Sequence, residues 1–195
     1  MEEKENRQII KINLMQVSMK LGTYLGLYIA LAYAITVLTV KYPAISLIAF
    51  PVILGIPVMA YILIRRFRDS NNFPFFPFPV SWMVSILTFL FATVLSCMIA
   101  FLYLKFVDNG GFASSLMERM EFMIASSQNV TSNMTNPGQI EEYNSSLELL
   151  RQATEWFCSL SASGMTKQLI QTSLLWGNIL SLIIGAITSK RIRIS

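Results

Sequence analysis

No histidine occurs in the chain. Histidine-ligated haem, histidine-rich zinc sites and histidine general bases are therefore outside its chemistry. Charge is also scarce: 13% of the 195 residues are charged, against roughly 25% in a soluble domain. There are two cysteines, Cys97 and Cys158, and no CxxC. Cys97 falls deep in an apolar run, out of reach of Cys158, so both read as free thiols and cysteine usage leaves the redox compartment open. No nucleophile–base pair, glycine-rich phosphate loop or paired carboxylate within an apolar run is present. No catalytic residue and no cofactor is expected, and the chain reads as a non-enzyme.

The sequence is instead 54% hydrophobic, gathered into uncharged runs of about 20 residues, the length that crosses about 30 Å of hydrocarbon as a helix. Four such spans are expected, at about 21–40, 44–64, 80–103 and 169–188, none holding Asp, Glu, Lys or Arg. The fold class is all-α: a single membrane domain over 1–195, a four-transmembrane-helix bundle with a helical extracytoplasmic loop at 106–168. Ala32-Tyr33-Ala34 fits a small-x-small cleavage site, but the apolar run continues through Val40, so an uncleaved first helix is expected.

The joints are equally readable. The tail up to Lys20 mixes charges with Ile9, Ile10, Ile12, Leu14, Met15 and Val17, which suits an interfacial helix or a cytoplasmic extension of the first span. Lys41-Tyr42-Pro43 is short enough to make the first two spans a hairpin. The second span holds Pro51, Gly55 and Pro57, so a kink is expected; broken helices of this kind can expose backbone carbonyls to a substrate. Phe73 to Pro79 interleaves phenylalanine and proline and reads as an extended segment in the headgroup layer, rings in lipid. In the loop, Asp108 to Gly111 is a turn. Phe112, Leu116, Met120 and Met123 recur at helical spacing, Asn129 to Gly138 is loop, and Ile140, Tyr143, Leu147, Leu150, Thr154 and Phe157 mark an amphipathic helix broken at Ser163-Gly164.

The net charge of +4 does not indicate nucleic acid. The basic residues sit at the ends of apolar runs, at Arg65, Arg66 and Arg68 and at Lys190, Arg191 and Arg193, whereas residues 106–168 carry three basic against seven acidic residues. Lys and Arg mark the cytoplasmic side, so both termini are expected in the cytoplasm.

Small residues recur every fourth position in two spans: Gly22, Gly26, Ala30 and Ala34 in the first, Ser173, Gly177, Ser181 and Gly185 in the fourth. Such stripes let helix backbones approach closely where apolar burial gives no net drive. They predict a close antiparallel crossing of the first and fourth spans with the third beside them, or a homodimer seam. Asn178, the most polar residue inside a span, suits a hydrogen bond to a neighbouring helix, and less readily a substrate contact. Met117, Met120 and Met123 could offer soft sulfur to Cu(I), but without Cys or His beside them they read as an apolar stripe. Glu118 with Glu121 and Glu141 with Glu142 read as solvated surface charge.

Gly22-x-x-x-Gly26 opens the first span, Arg66-Phe67-Arg68-Asp69 closes the second, an aromatic segment precedes the third, and Phe106-Val107-Asp108 leads into a helical loop and a final span. In this order of parts, over about residues 18–189, the chain resembles a family of bacterial inner-membrane proteins catalogued as domain of unknown function forty-one ninety-nine. Where family members often carry glycines before the third span, this chain has Phe73 to Pro79. The resemblance implies a bacterial cytoplasmic membrane and transfers no activity and no catalytic residue. The expected function is that of an interaction, accessory or structural membrane protein. Its partners would be the lipid bilayer and a second copy or a membrane or periplasmic protein, with no nucleic acid. The alternative is a small oligomeric transporter or channel, and a lipid-modifying enzyme ranks last.

Overall fold

The computed structural model describes residues 2–70, 76–108, 110–131 and 136–189, with side chains for 14–70, 76–108, 110–127, 136 and 138–189. All its regular elements are helical: α1 (Glu2–Lys41), a 3-10 turn (Pro43–Ile45), α2 (Ser46–Ser70), α3 (Phe78–Phe106), α4 (Gly111–Thr131), α5 (Pro137–Cys158) and α6 (Ala162–Thr188). Within them, Leu14–Lys41, Pro43–Ser70, Phe78–Phe106 and Ala162–Thr188 are long and apolar enough to cross a membrane. The chain is a multi-pass membrane protein. The tail is no separate interfacial element, because α1 runs as one helix from Glu2 into the first span.

The third span is the axis of the bundle. α1 packs along one side of α3 and α6 along another, while α2 rests mainly on α1. The expected crossing of the first and fourth spans is therefore corrected: the two small-residue helices scarcely touch each other, and each turns its glycines to α3. α3 accepts both because it has its own small inner faces, with Ser81, Ser85, Thr88, Ala92 and Ser96 fully buried. Gly22 faces Thr88 and Phe91 while Gly26 faces Ala92 and Leu95, so α1 runs parallel to α3; Gly177 faces Phe89 and Gly185 faces Trp82, so α6 runs antiparallel. Leu25, Ile29, Ala60, Ile64, Phe89, Ala92 and Ile184 form the apolar core between these helices.

Several local expectations shift. α2 holds Pro51 and Pro57 inside one continuous helix, which is compatible with the expected kink. Phe76 is 2% exposed, so its ring lies in protein rather than in lipid; the segment 71–75 is outside the described residues. Pro77 is the extended N-cap residue and α3 begins at Phe78, with Pro79 in its first turn, where a missing N–H costs nothing. The break before the last span falls at Ser159–Ser161 rather than at Ser163-Gly164: Ser161 Oγ accepts from the Gly164 N–H at 3.3 Å and caps α6, placing Gly164 inside the first turn.

α4 and α5 form a hairpin at the end of the bundle away from the start of α1 and the end of α6. Asn136 accepts from the Gly138 N–H at 3.0 Å and starts α5. Cys158 Sγ donates to the Ala113 carbonyl at 3.6 Å, and partial burial raises the thiol above its ordinary range, so it stays protonated as a donor. Both cysteines are free.

Candidate functional site

The stripe of the first span divides between two jobs. At its start a Cβ on Gly22 would lie 2.5 Å from Phe91 Cβ, and one on Gly26 3.0 Å from the Ala92 carbonyl oxygen, so here only hydrogen lets the backbones meet. Ser18 and Thr88, in these two helices, have buried hydroxyls without partners among the described residues. From the next turn on the stripe is less buried, with Ala30 intermediate and Ala34 exposed. They line a cavity of about 310 Å³ at the hairpin end of the bundle. Its other walls are Ser96, Ile99, Ala100 and Tyr103 of α3 and Leu169 of α6, and Phe112 of α4 and Phe157 of α5 line its hairpin end.

The polar atoms on that wall are already bonded within the protein. Tyr33 Oη and Ser173 Oγ share a 2.9 Å bond that ties α1 to α6, so Ser173 of the fourth-span stripe meets the first span after all, through a long side chain. Thr36 donates to the Ala32 carbonyl at 2.8 Å, and Ser96 to the Thr93 carbonyl at 3.2 Å. Asp108 holds the lid: both its carboxylate oxygens lie 2.9 Å from the Phe112 N–H, an N-terminal cap that starts α4. The turn between them passes through Gly110 at φ +85°, a left-handed conformation that a side chain would disfavour.

The other candidate residues do not assemble into one site. Gly177 and Gly185 sit on α3, and Ser181 is fully buried with its Oγ on the Asn178 carbonyl at 2.8 Å. Asn178 itself is a correction. It is exposed beside a small pocket shared with Ile86, Phe89 and Leu174, and among the described residues its amide bonds no neighbouring helix. Gly177 and Ser181 take the inner face of α6, and one residue's rotation of about 100° carries Asn178 outward. At the second span, Tyr28 Oη donates to the Val52 carbonyl at 2.9 Å and lies against Gly55, where a Cβ would overlap it. The carbonyls that Pro51 and Pro57 leave without a helical donor are those of Leu47 and Ile53, four residues earlier, so this bond to Val52 occupies neither. The methionine trio is divided, with Met120 buried at 5% exposure and Met123 exposed at 42%. Among the described residues no group of three His, Cys, Asp or Glu could hold a metal ion.

Arg68, in the sequence one of the orienting charges, gains a structural role here. Arg68 is 17% exposed; it donates to the Thr188 carbonyl at 2.9 Å and forks onto Asp69 at 2.7 and 2.8 Å. It joins the ends of α2 and α6 by filling one of the last carbonyls of α6, which have no partner within their own helix. Beside it, Ser81 Oγ and Thr188 Oγ1 share a 2.6 Å bond. The only signal in the sequence was the place of Arg68 and Asp108 within the two short motifs that close the second and third spans.

No curated protein and no solved structure matches the chain. The family described as Protein of unknown function (DUF4199) matches it over residues 20–190, from the start of the first span to the end of the last. The chain belongs to that family.

Proposed function

We propose that the chain is a non-catalytic interaction protein of the bacterial cytoplasmic membrane, with both termini in the cytoplasm, whose α4–α5 hairpin docks a membrane or periplasmic protein. The observation that carries this reading is the outer surface of the hairpin. Phe122, Leu149 and Trp156 are 68%, 68% and 54% exposed, whereas Phe112 and Phe157 of the same two helices are turned onto the cavity. Large apolar side chains left outward on an extramembrane element favour a partner surface. The excess of Lys and Arg outside residues 106–168 supports the orientation.

A photo-crosslinking side chain placed at Phe122 and at Leu149, in native membranes, is expected to capture the same protein at both positions. The adduct should be lost on Trp156→Ser. Lipid adducts alone at both positions would replace the protein partner with the bilayer surface.

One observation favours the second reading, a small oligomeric transporter or channel. Asn178, near the middle of the fourth span, and Gln171, seven residues earlier, are both exposed. Amides facing hydrocarbon lack hydrogen-bond partners, and matching amides of a second copy related by a two-fold axis would supply them. Asn178→Leu is expected to convert a cross-linkable oligomer to monomer without loss of helix content. Unchanged stoichiometry would end this reading.

A further inference from the structure

The cavity at the hairpin end has the shape and chemistry of a hydrocarbon site. Its α1 wall runs from Ala30 to Leu38 and its α3 wall from Ser96 to Leu104. Each is eight residues along, or about 12 Å of helix. The cavity, of about 310 Å³, is elongated along these two helices. An elongated apolar space of this kind suits an extended hydrocarbon chain. It lies along the helix axes, the direction in which lipid chains run.

Its chemistry points the same way. The Tyr33, Thr36 and Ser96 hydroxyls are spent on Ser173, the Ala32 carbonyl and the Thr93 carbonyl, so the wall has little left for a polar ligand. Packed interiors leave few voids larger than a water molecule, and an apolar one stays dry and takes apolar ligands. Its lining reaches the bundle surface: Leu38 and Ile99, both on it, are 46% and 36% exposed. Lipid is the solvent at that surface. Phe112 and Phe157 line the hairpin end, so a chain entering from the side would leave its headgroup outside.

We propose that this cavity holds one acyl chain of a bilayer phospholipid, entering between Leu38 and Ile99 beneath the aromatic lid of the hairpin. The whole protein is reconstituted in vesicles of phosphatidylethanolamine and phosphatidylglycerol containing a trace of phospholipid with a diazirine in mid-chain. After irradiation, adducts are mapped by mass spectrometry. Adducts on Tyr33, Ile99 and Tyr103 are expected, at several times the yield on the freely lipid-facing Leu47, which is 82% exposed.

Ala34→Trp should fill the cavity and lower the cavity adducts roughly tenfold, leaving the Leu47 adduct unchanged; Ala100→Phe fills it from the opposite wall should the first variant fold poorly. Adducts confined to outward residues such as Leu47, or cavity adducts that survive both fillings, would overturn the proposal. Native mass spectrometry of protein taken from its own membrane supplies the remaining arm. A phospholipid retained by the wild type and lost from the filled variants supports the acyl chain, and a retained polyprenyl species would overturn that assignment.

Discussion

Gly185→Leu is expected to destabilise the folded chain by about 3 kcal/mol, the upper part of the usual range for overpacking. A Cβ at this position would lie 2.9 Å from Trp82 Cα and 3.1 Å from Trp82 N. Those are backbone atoms of the central helix, so relief requires α6 to move off α3 as a body. Gly26→Leu should behave alike, since its obstacles are the Ala92 carbonyl oxygen at 3.0 Å and Ala92 Cα at 3.1 Å. Gly177→Leu should cost less, because its nearest atoms belong to the Phe89 side chain, the first at 3.3 Å. In the hairpin, Gly138→Ala should change little, since its nearest contact is the Asn136 Oδ1 at 3.5 Å. Unfolding of the purified protein in mixed micelles, followed by circular dichroism, ranks the four. A Gly185→Leu chain that keeps its stability but loses self-association would mean that this face is a seam between copies.

Removing the guanidinium of Arg68 is the second large effect. Arg68→Ala should cost about 2 kcal/mol, in the range for hydrogen bonds involving a charged group. The loss leaves the Thr188 carbonyl without its donor and separates the end of α2 from the end of α6. Arg68→Lys should recover only part of it, because an ammonium cannot hold the Thr188 carbonyl and the Asp69 carboxylate in one planar fork. Arg65→Ala offers the contrast: its side chain is 55% exposed, its contact with Asp69 is 3.5 Å long and its bond to Tyr61 Oη lies within its own helix, so its loss should be much the smaller. The same unfolding series separates the three. An Arg68→Ala chain as stable as wild type would show that the α2–α6 contact at this end contributes nothing.

These effects belong to different levels of information. The spans, the short turn at Tyr42-Pro43, the paired helices of the loop and the caps at Asn136 and Ser161 depend on neighbours within a turn or two. Hydropathy and local hydrogen bonding are summed along the chain, so a window of sequence contains them. The break before α6 was misplaced because Ser163-Gly164 looks like a helix stop until Ser161 is seen bonding Gly164. Phe76 reads from the sequence as a lipid-facing ring, since nothing local distinguishes a ring buried in protein from one buried in hydrocarbon.

The candidate site was readable only in pieces. Gly22, Gly26, Gly177 and Gly185 identify themselves as close-approach positions, but a stripe of small residues does not name the surface it meets, and the partner of all four is the third span. Ala30 and Ala34 continue the same stripe, yet they line a void, because α4 and α5 bring Phe112 and Phe157 over the end of the bundle. Asn178 faces outward because its neighbours Gly177 and Ser181 claim the inner face of α6, a matter of helix rotation that composition does not encode. Arg68 looked like one more orienting charge until Thr188, 120 residues away, supplied the carbonyl it bonds. The sequence by itself determined that the chain lives in a membrane, with which segments and with which small faces, since each follows from the free energy of a local segment in water or hydrocarbon. Only the tertiary structure decided which faces meet, where they part to leave a cavity and which carbonyl Arg68 caps, because those depend on pairs of residues far apart in the chain, whose contact no local free energy specifies.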